Sequence, residues 1–348
     1  MSIPRRFPIV GILTGEGGEG KIFRGDGAYF KSLQRKVKAA GGFCYVFTLN
    51  GVREKHIEGF AFSRKKQQWA KMACPYPNVI YNRIASRDAE NLESFLLFKK
   101  EMISAKIPFF NAFFFDKWDV HQILSKSLLS YLPPAEKVHS IEDIHSFLSA
   151  CSGAYLKPLQ SSQGQGIYRI RPTEYHFEVT SHDGSAELCD KTVFAEKKYP
   201  FYEGYLIQEE IISDTYQNKK YDLRVLALSG KEDYHIIGIG VRSAANRKTL
   251  TTHVSNGGSI LPFESVSERV SMEELEMIVS TAGRELASHY GQIGEFSMDI
   301  GVTESGPVIY EVNSKPMPFD EPQIQTRRIN KLAALFHQLS AGKSSLRP

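Results

Sequence analysis

Cysteine is scarce in this chain: Cys44, Cys74, Cys151 and Cys189 are scattered with no CxxC spacing. That leaves neither a zinc knuckle nor a disulfide framework, and a reducing compartment is the simpler expectation. Long apolar runs are missing too. The stretch Phe7 to Leu13 after Arg5-Arg6 is shorter than a complete signal peptide and has no small-residue cleavage pattern, and Phe109 to Phe115 is too short to span a bilayer. A cytoplasmic protein with no membrane span is expected. Neither sign of charge dominates. The net charge is +4 and no basic stripe interleaved with aromatics stands out, which permits anionic small molecules as ligands but gives no argument for nucleic acid. Internal repeats and low-complexity segments are absent as well.

What remains is ordinary globular composition, 42% hydrophobic and 24% charged. At 348 residues the chain should form two or three lobes and can bury a catalytic cleft. The stretch around which the rest is arranged is Met298 to Pro316. Two alternating apolar runs, Phe296 to Val302 and Pro307 to Val312, flank Glu304-Ser305-Gly306, the pattern of a β-hairpin. Strand side chains alternate faces, so Asp299 can share a face with a carboxylate on the returning strand, and Glu311 and Asn313 must share one. Three oxygen ligands on a rigid element suit Mg²⁺. The alternative is a pair of solvated acidic residues beside an ordinary turn.

Upstream, Pro8 to Leu13 reads as a buried strand running into Thr14 to Ile22, which fits GxxxxGK. Ile22 stands where a metal-binding Ser or Thr belongs, and Glu16 and Glu19 would set negative charge against phosphate, so a surface loop is the preferred reading. Tyr29 to Ala40 has helical spacing, and Phe43 to Leu49 and Val79 to Tyr81 read as strands, giving a small N-terminal α/β lobe. Arg83 and Arg87 follow a strand end, where ligands bind in open α/β sheets. They are either anion grips or surface salt-bridge partners.

Asp116 is a plausible N-cap with Lys117 in the first helical turn, a placement that opposes the helix dipole and hints at an anion nearby. Lys157 precedes Leu159 to Gly166, a Ser- and Gly-rich loop between two strands that is either a hairpin tip or a cover for polyphosphate. Lys117 and Lys157 tilt the reading toward phosphate. Tyr205 to Ile211 is a strand whose end can pair with an adenine edge while Asp214 reaches a ribose. Asp222 and Arg224 share a face of the strand Tyr221 to Leu228; Ile236 to Arg242 is another strand, and Arg242, Arg247 and His253 to Gly258 add donors for an anion. Helices are expected over Met272 to Tyr290 and Arg327 to Leu339.

Asp116-Lys117, Lys157 with its loop, Ile207-Gln208-Glu209, Asp222-Leu223-Arg224, Asn256-Gly257-Gly258, Asp299 and Glu311-Val312-Asn313 stand in an order that resembles the ATP-grasp superfamily. Gly25 to Phe30, Tyr45-Val46-Phe47, Asn78 to Ile84 and Lys315-Pro316 look more narrowly like the YheC/YheD family of spore-forming bacilli, described as endospore coat-associated. The resemblance implies an α/β (α+β) ATP-grasp fold: an N-terminal α/β domain over 1–110 and an ATP-grasp domain over 111–340, with a central lobe to about 205 and a C-terminal lobe beyond it. It implies ATP and Mg²⁺ as cofactors. Lys117, Lys157 and the loop residues Ser161, Ser162, Gly164 and Gly166 would meet the phosphates, and Gln208, Glu209 and Ile211 the adenine, with Asp214 at the ribose. Asp299, Glu311 and Asn313 would hold the metal, with Arg224 and Arg242 stabilising the developing oxyanion. The implied reaction joins a small-molecule or peptide carboxylate to an amine through an acylphosphate, in a protein associated with sporulation or the spore coat and its proteins. A kinase-like transfer to a small acceptor and a nucleotide-binding scaffold without turnover are the alternatives. Retention of all three metal ligands and both lysines favours an enzyme.

Overall fold

The computed structural model describes residues 7–18, 20–159, 166–181, 184–191, 194, 204–231, 233–246, 249–250, 252, 254 and 257–341. The first sheet is built from β1 (Ile9–Leu13), β2 (Phe43–Phe47), β3 (Ile57–Ser63), β4 (Gln68–Cys74), β5 (Val79–Asn82) and β6 (Phe109–Phe110), in the order β4-β3-β2-β1-β5-β6. Strands β2, β1, β5 and β6 run parallel. A parallel sheet is covered on both faces, which explains the unbroken apolar runs of these strands. Val10 and Ile12 pack under α1 (Gly27–Ala39), whose N-cap Asp26 accepts hydrogen bonds from the amides of Ala28 and Tyr29. Leu13 and Ile80 face the opposite layer, built on α3 (Glu93–Ser104), which follows the short α2 (Arg87–Asn91).

The second sheet is antiparallel: β7 (Ala135–Val138), β8 (Ala154–Pro158), β9 (Tyr168–Pro172), β10 (His176–Ser181), β11 (Ala186–Asp190) and β12 (Tyr205–Glu209), ordered β11-β10-β9-β8-β12-β7. Ile144 and Leu148 of α5 (Ile141–Ser149) close its core, and Ser140 with Asp143 forms a capping box at the start of that helix.

The third sheet carries the hairpin. Its path is β16 (Ser259–Leu261), β15 (Tyr234–Ser243), β14 (Lys219–Ser229), β17 (Glu295–Thr303) and β18 (Gly306–Asn313), with β13 (Thr215–Tyr216) paired to β14. Alternation gives this sheet two unlike faces. Leu223, Val225, Val241, Met298, Ile300 and Val312 point into a core roofed by α4 (Lys117–Leu128) and α6 (Met272–Tyr290). The other face is divided along its length. Leu226, Leu228 and Ile237 lie under α7 (Pro322–Ala341), while the positions beyond them are polar. That polar end is where the candidate site lies.

Candidate active site

Strand register brings the polar residues together. Asp299 stands opposite Glu311 and Ser297 opposite Asn313, and Asp299 is also opposite Arg224 on β14. The register slips after Asp299, leaving Tyr310 as an extra residue on β18. Such a bulge re-aims side chains, and Tyr310 lines the cavity beside Glu311. Gly301 makes room for that tyrosine: a Cβ there would fall 2.0 Å from the Tyr310 hydroxyl oxygen.

Arg242 ties the neighbouring carboxylates. Its Nη2 donates to Asp299 Oδ1 at 2.8 Å and its Nε to Asp222 Oδ1 at 3.2 Å, while the Thr252 hydroxyl donates to the other oxygen of Asp222. Burial works against the Arg242 charge, but Asp299 and Asp222 outweigh it and raise the guanidinium pKa. Burial also raises the Asp222 carboxyl, with Arg242 opposing.

The facing wall comes from the second sheet. Lys157 on β8 donates to Gln208 on β12, its diagonal neighbour in the antiparallel pair, where Lys157 stands opposite Leu206 and Gln208 opposite Tyr155. Burial lowers the Lys157 ammonium to about 8, an effect opposed by Glu311 and Asp299 and reinforced by Lys117. Lys117, the first residue of α4, lies 3.4 Å from Glu311 Oε1. Lys157, Gln208, Glu209 and Ile211 line one cavity together with Asp222, Arg242, Asp299 and Glu311.

The donor set fits a hard cation. Among the described residues no three His, Cys, Asp or Glu side chains gather as a metal cluster. Asp299 and Glu311 instead offer two carboxylates, with Asn313 close by, few enough ligands to leave positions for phosphates and water, as Mg²⁺ requires. Opposite Asn313, the Ser297 hydroxyl is buried without a partner, an unsatisfied polar atom on the same face.

Other expected residues are placed elsewhere. Asp214 does not line this cavity; its carboxylate is held by Arg269 and by the Tyr221 hydroxyl at 3.2 Å. Arg224 is absent from the lining as well, its guanidinium carbon lying 4.9 Å from the centre of the Phe319 ring. Arg83 donates to the Pro316 carbonyl at 2.9 Å and Arg87 to the Phe115 carbonyl at 2.6 Å, so both tie chain segments together. At Thr14 to Ile22 the Thr14 hydroxyl donates to the Arg24 carbonyl at 2.7 Å, and α1 begins only at Gly27, unlike a phosphate loop that opens a helix. Ser161, Ser162 and Gly164, like Arg247, His253 and Asn256, lie outside the described residues, while Gly166 is at φ 72° against Pro158.

Sequence reasoning missed the charge hub at Glu210. Arg171 grips its carboxylate with two hydrogen bonds, of 2.7 and 2.9 Å, and Lys220 approaches to 3.6 Å. Burial alone would raise the Glu210 carboxyl, but Arg171 and its neighbours hold it below the usual range. The hub joins β9 to β14 and sets Lys220 and Tyr155 into the cavity lining. The only local signal was Lys219-Lys220 at the head of an alternating strand.

Comparison with known proteins agrees with this architecture. A family model described as YheC/D like ATP-grasp matches residues 106–338. The chain is 30% identical over 332 residues to the endospore coat-associated protein YheD of Bacillus subtilis (strain 168), covering 89% of this chain and 72% of that one. It is 23% identical over 317 residues to the endospore coat-associated protein YheC of the same strain, covering 82% of this chain and 85% of the other. Among solved structures, D-alanyl-alanine synthetase A from Vibrio cholerae O1 biovar eltor str. N16961 matches with a TM-score of 0.56 at 10% identity, over 97% of this chain and 99% of that one. The ATP-grasp ligase PsnB complexed with minimal precursor matches with a TM-score of 0.55 at 13% identity, over 94% and 98%. Those structures share the ATP-grasp fold, and among the described residues no helix is long and apolar enough to cross a membrane. The chain therefore belongs to the YheC/D-like ATP-grasp family.

Proposed function

We propose that this protein is an ATP- and Mg²⁺-dependent ligase that joins a carboxylate to an amine, small molecules or peptides, in association with the spore or its coat. The observation that carries the reading is the shared cavity, in which Lys157 and Gln208 of the second sheet face Asp299, Glu311 and Arg242 of the third. The solved neighbours include a D-alanyl-alanine synthetase and an ATP-grasp ligase complexed with a minimal precursor, and this supports a ligase over a scaffold.

In this reading the carboxylate attacks the γ-phosphoryl group, ADP leaves, and the amine then displaces phosphate from the acylphosphate to give an amide. The protein's part is positioning and charge stabilisation. Lys117 and Lys157 meet phosphate oxygens; Gln208, Glu209 and Ile211 present the adenine wall; Asp299, Glu311 and Asn313 hold Mg²⁺. The metal, when bound, neutralises the phosphates and polarises the bond that breaks. Arg242 is anchored on Asp299 and Asp222, ready to follow charge as it develops, and Arg224 flanks Asp299.

The test is ADP release from MgATP against pooled amino acids, peptides and small carboxylic acids. Acceptor-dependent release that disappears in Glu311→Gln, with a product mass matching an amide, is the expected outcome. A phosphoester product would mark a kinase instead. ATP binding without release under any acceptor would favour the scaffold.

A further inference from the structure

One row of positions crosses the polar end of the third sheet in a fixed order. Glu311 is opposite Asp299, Asp299 opposite Arg224, and Arg224 opposite Gly240. Adjacent strands lie about 4.8 Å apart, so the row runs roughly 14 Å from the metal end to Gly240. Glycine leaves its own place in the row to a side chain from elsewhere. A Cβ at 240 would fall 2.6 Å from Glu321 Oε1 and 3.0 Å from Oε2, so this carboxylate rests on the sheet next to Arg224.

The fold uses neither group up. Among the described residues the Glu321 carboxylate has no ion pair and no hydrogen bond to another residue, and Arg224 has none either, its Nε being buried without a partner. The two do not bridge each other. Phe319 lies under the guanidinium, and Asp320 stands exposed beside Glu321. Burial raises the Glu321 carboxyl, and Asp320 adds to the rise while Arg224 and Arg242 oppose it. A carboxylate and a guanidinium held side by side without bridging offer one acceptor-only and one donor-only surface.

Resting on the ligase reading, we propose that Glu321 receives the ammonium group of the amine substrate, so that the second substrate is a cationic primary amine. The order along the row then follows the order of the reaction. Phosphate and metal belong at Glu311 and Asp299, the acyl oxygen beside Arg224, and the incoming nitrogen at Glu321, whose carboxylate takes one proton from the ammonium so that the free amine can attack as phosphate leaves. An ammonium has three donors and no acceptor, which a carboxylate satisfies and a guanidinium repels. A carboxylic acid substrate is turned the other way by the same two charges.

Saturation-transfer NMR on the full chain at neutral pH, with glycinamide and its neutral N-acetyl derivative as probes, tests this without turnover. Glycinamide should bind about tenfold more tightly than the acetylated probe, and Glu321→Gln should erase the difference. Glu321→Asp, which keeps the charge and withdraws it by one methylene, should restore part of it, and unchanged thermal unfolding in both variants separates lost binding from lost folding. Equal binding of the two probes, or a preference surviving in Glu321→Gln, overturns the proposal. Hydroxylamine, a largely uncharged trap for acylphosphates, tests the ligase reading separately on the wild type: no hydroxamate from any acid with MgATP would remove that reading, while the NMR result still decides the role of Glu321.

Discussion

Lys117 Nζ lies 3.4 Å from Glu311 Oε1, although this lysine opens a helix whose dipole disfavours a cation there. The position is maintained against a local cost. Lys117→Met should therefore stabilise the start of α4 by up to about 0.5 kcal/mol, less whatever the contact with Glu311 contributes. If the lysine serves phosphate, the same change lowers kcat by about 10²-fold. Steady-state ADP release and thermal unfolding, read together, check both signs.

Lys157 gives a pH dependence. Its ammonium is lowered to about 8 by burial, against roughly 10.4 in an unfolded chain. Between those values the unfolded chain binds more protons, so folding stability contributed by this group rises with pH through the window and is lost as pH falls through about 8. Nucleotide affinity should run the opposite way, weakening as the cation is lost above about 8. Lys157→Met should remove that pH dependence from both curves, raise Tm at neutral pH by about 2 °C, and weaken ATP binding at least about tenfold. Calorimetric titration and unfolding scans across the window measure it.

Glu295 and Arg328 form a fully buried pair, with Arg328 Nε 2.8 Å from Oε2 and Nη2 2.6 Å from Oε1. Tyr81 donates to the same carboxylate. Arg328→Met alone should cost about 3–5 kcal/mol, because it strands a buried charge, whereas Glu295→Met with Arg328→Met should recover much of the loss. Urea unfolding of both variants discriminates between them.

Gly301→Ala should act at a distance. The added methyl displaces the Tyr310 ring from a contact of 2.0 Å, and Tyr310 lines the cavity. Overpacking of this kind costs about 1–3 kcal/mol, and nucleotide affinity should fall with it. Gly301→Ala paired with Tyr310→Ala tests the route: ring carbons at 2.2 and 2.6 Å clash as well as the hydroxyl, so only loss of the ring relieves the contact, and the added methyl should then cost much less than it does with Tyr310 in place.

The hairpin was legible in the sequence because Met298, Ile300 and Val302 alternate with polar neighbours around a Gly-containing turn, and one buried face enforces that pattern. Its bulge at Tyr310 was not: the extra residue shifts the phase so that Ile309 and Val312, three apart, reach the same core, but the continuous apolar run Val308-Ile309-Tyr310 hides the shift. Helix α3 escaped notice because Phe95 and Phe98 are buried while Leu96 and Leu97 between them are exposed, so the run lacks a clean period. The start of α7 at Pro322, earlier than the expected Arg327, uses proline's compatibility with a first helical turn. Glu295 with Arg328, Glu210 with Arg171, and Glu321 on Gly240 are contacts between distant segments, and no local rule pairs them. The candidate site was readable as residue types in order; its cavity and charge pairing needed the sheet register.

A single amide governs how freely the lobes can be exchanged. Asn111, at φ 55° where the first sheet ends, accepts from the amides of Gly294 and Glu295 at 2.9 and 3.2 Å and donates to the carbonyls of Glu295 and Ser314. It thereby clasps both ends of the β17–β18 hairpin. A chimera joined just before this residue would inherit the clasp but lose the partners Tyr81 and Arg83 that meet Glu295 from the N-terminal side. The seam between the first sheet and the hairpin thus runs through Glu295 at the base of the strand that carries Asp299, and an exchange of either side must change both together.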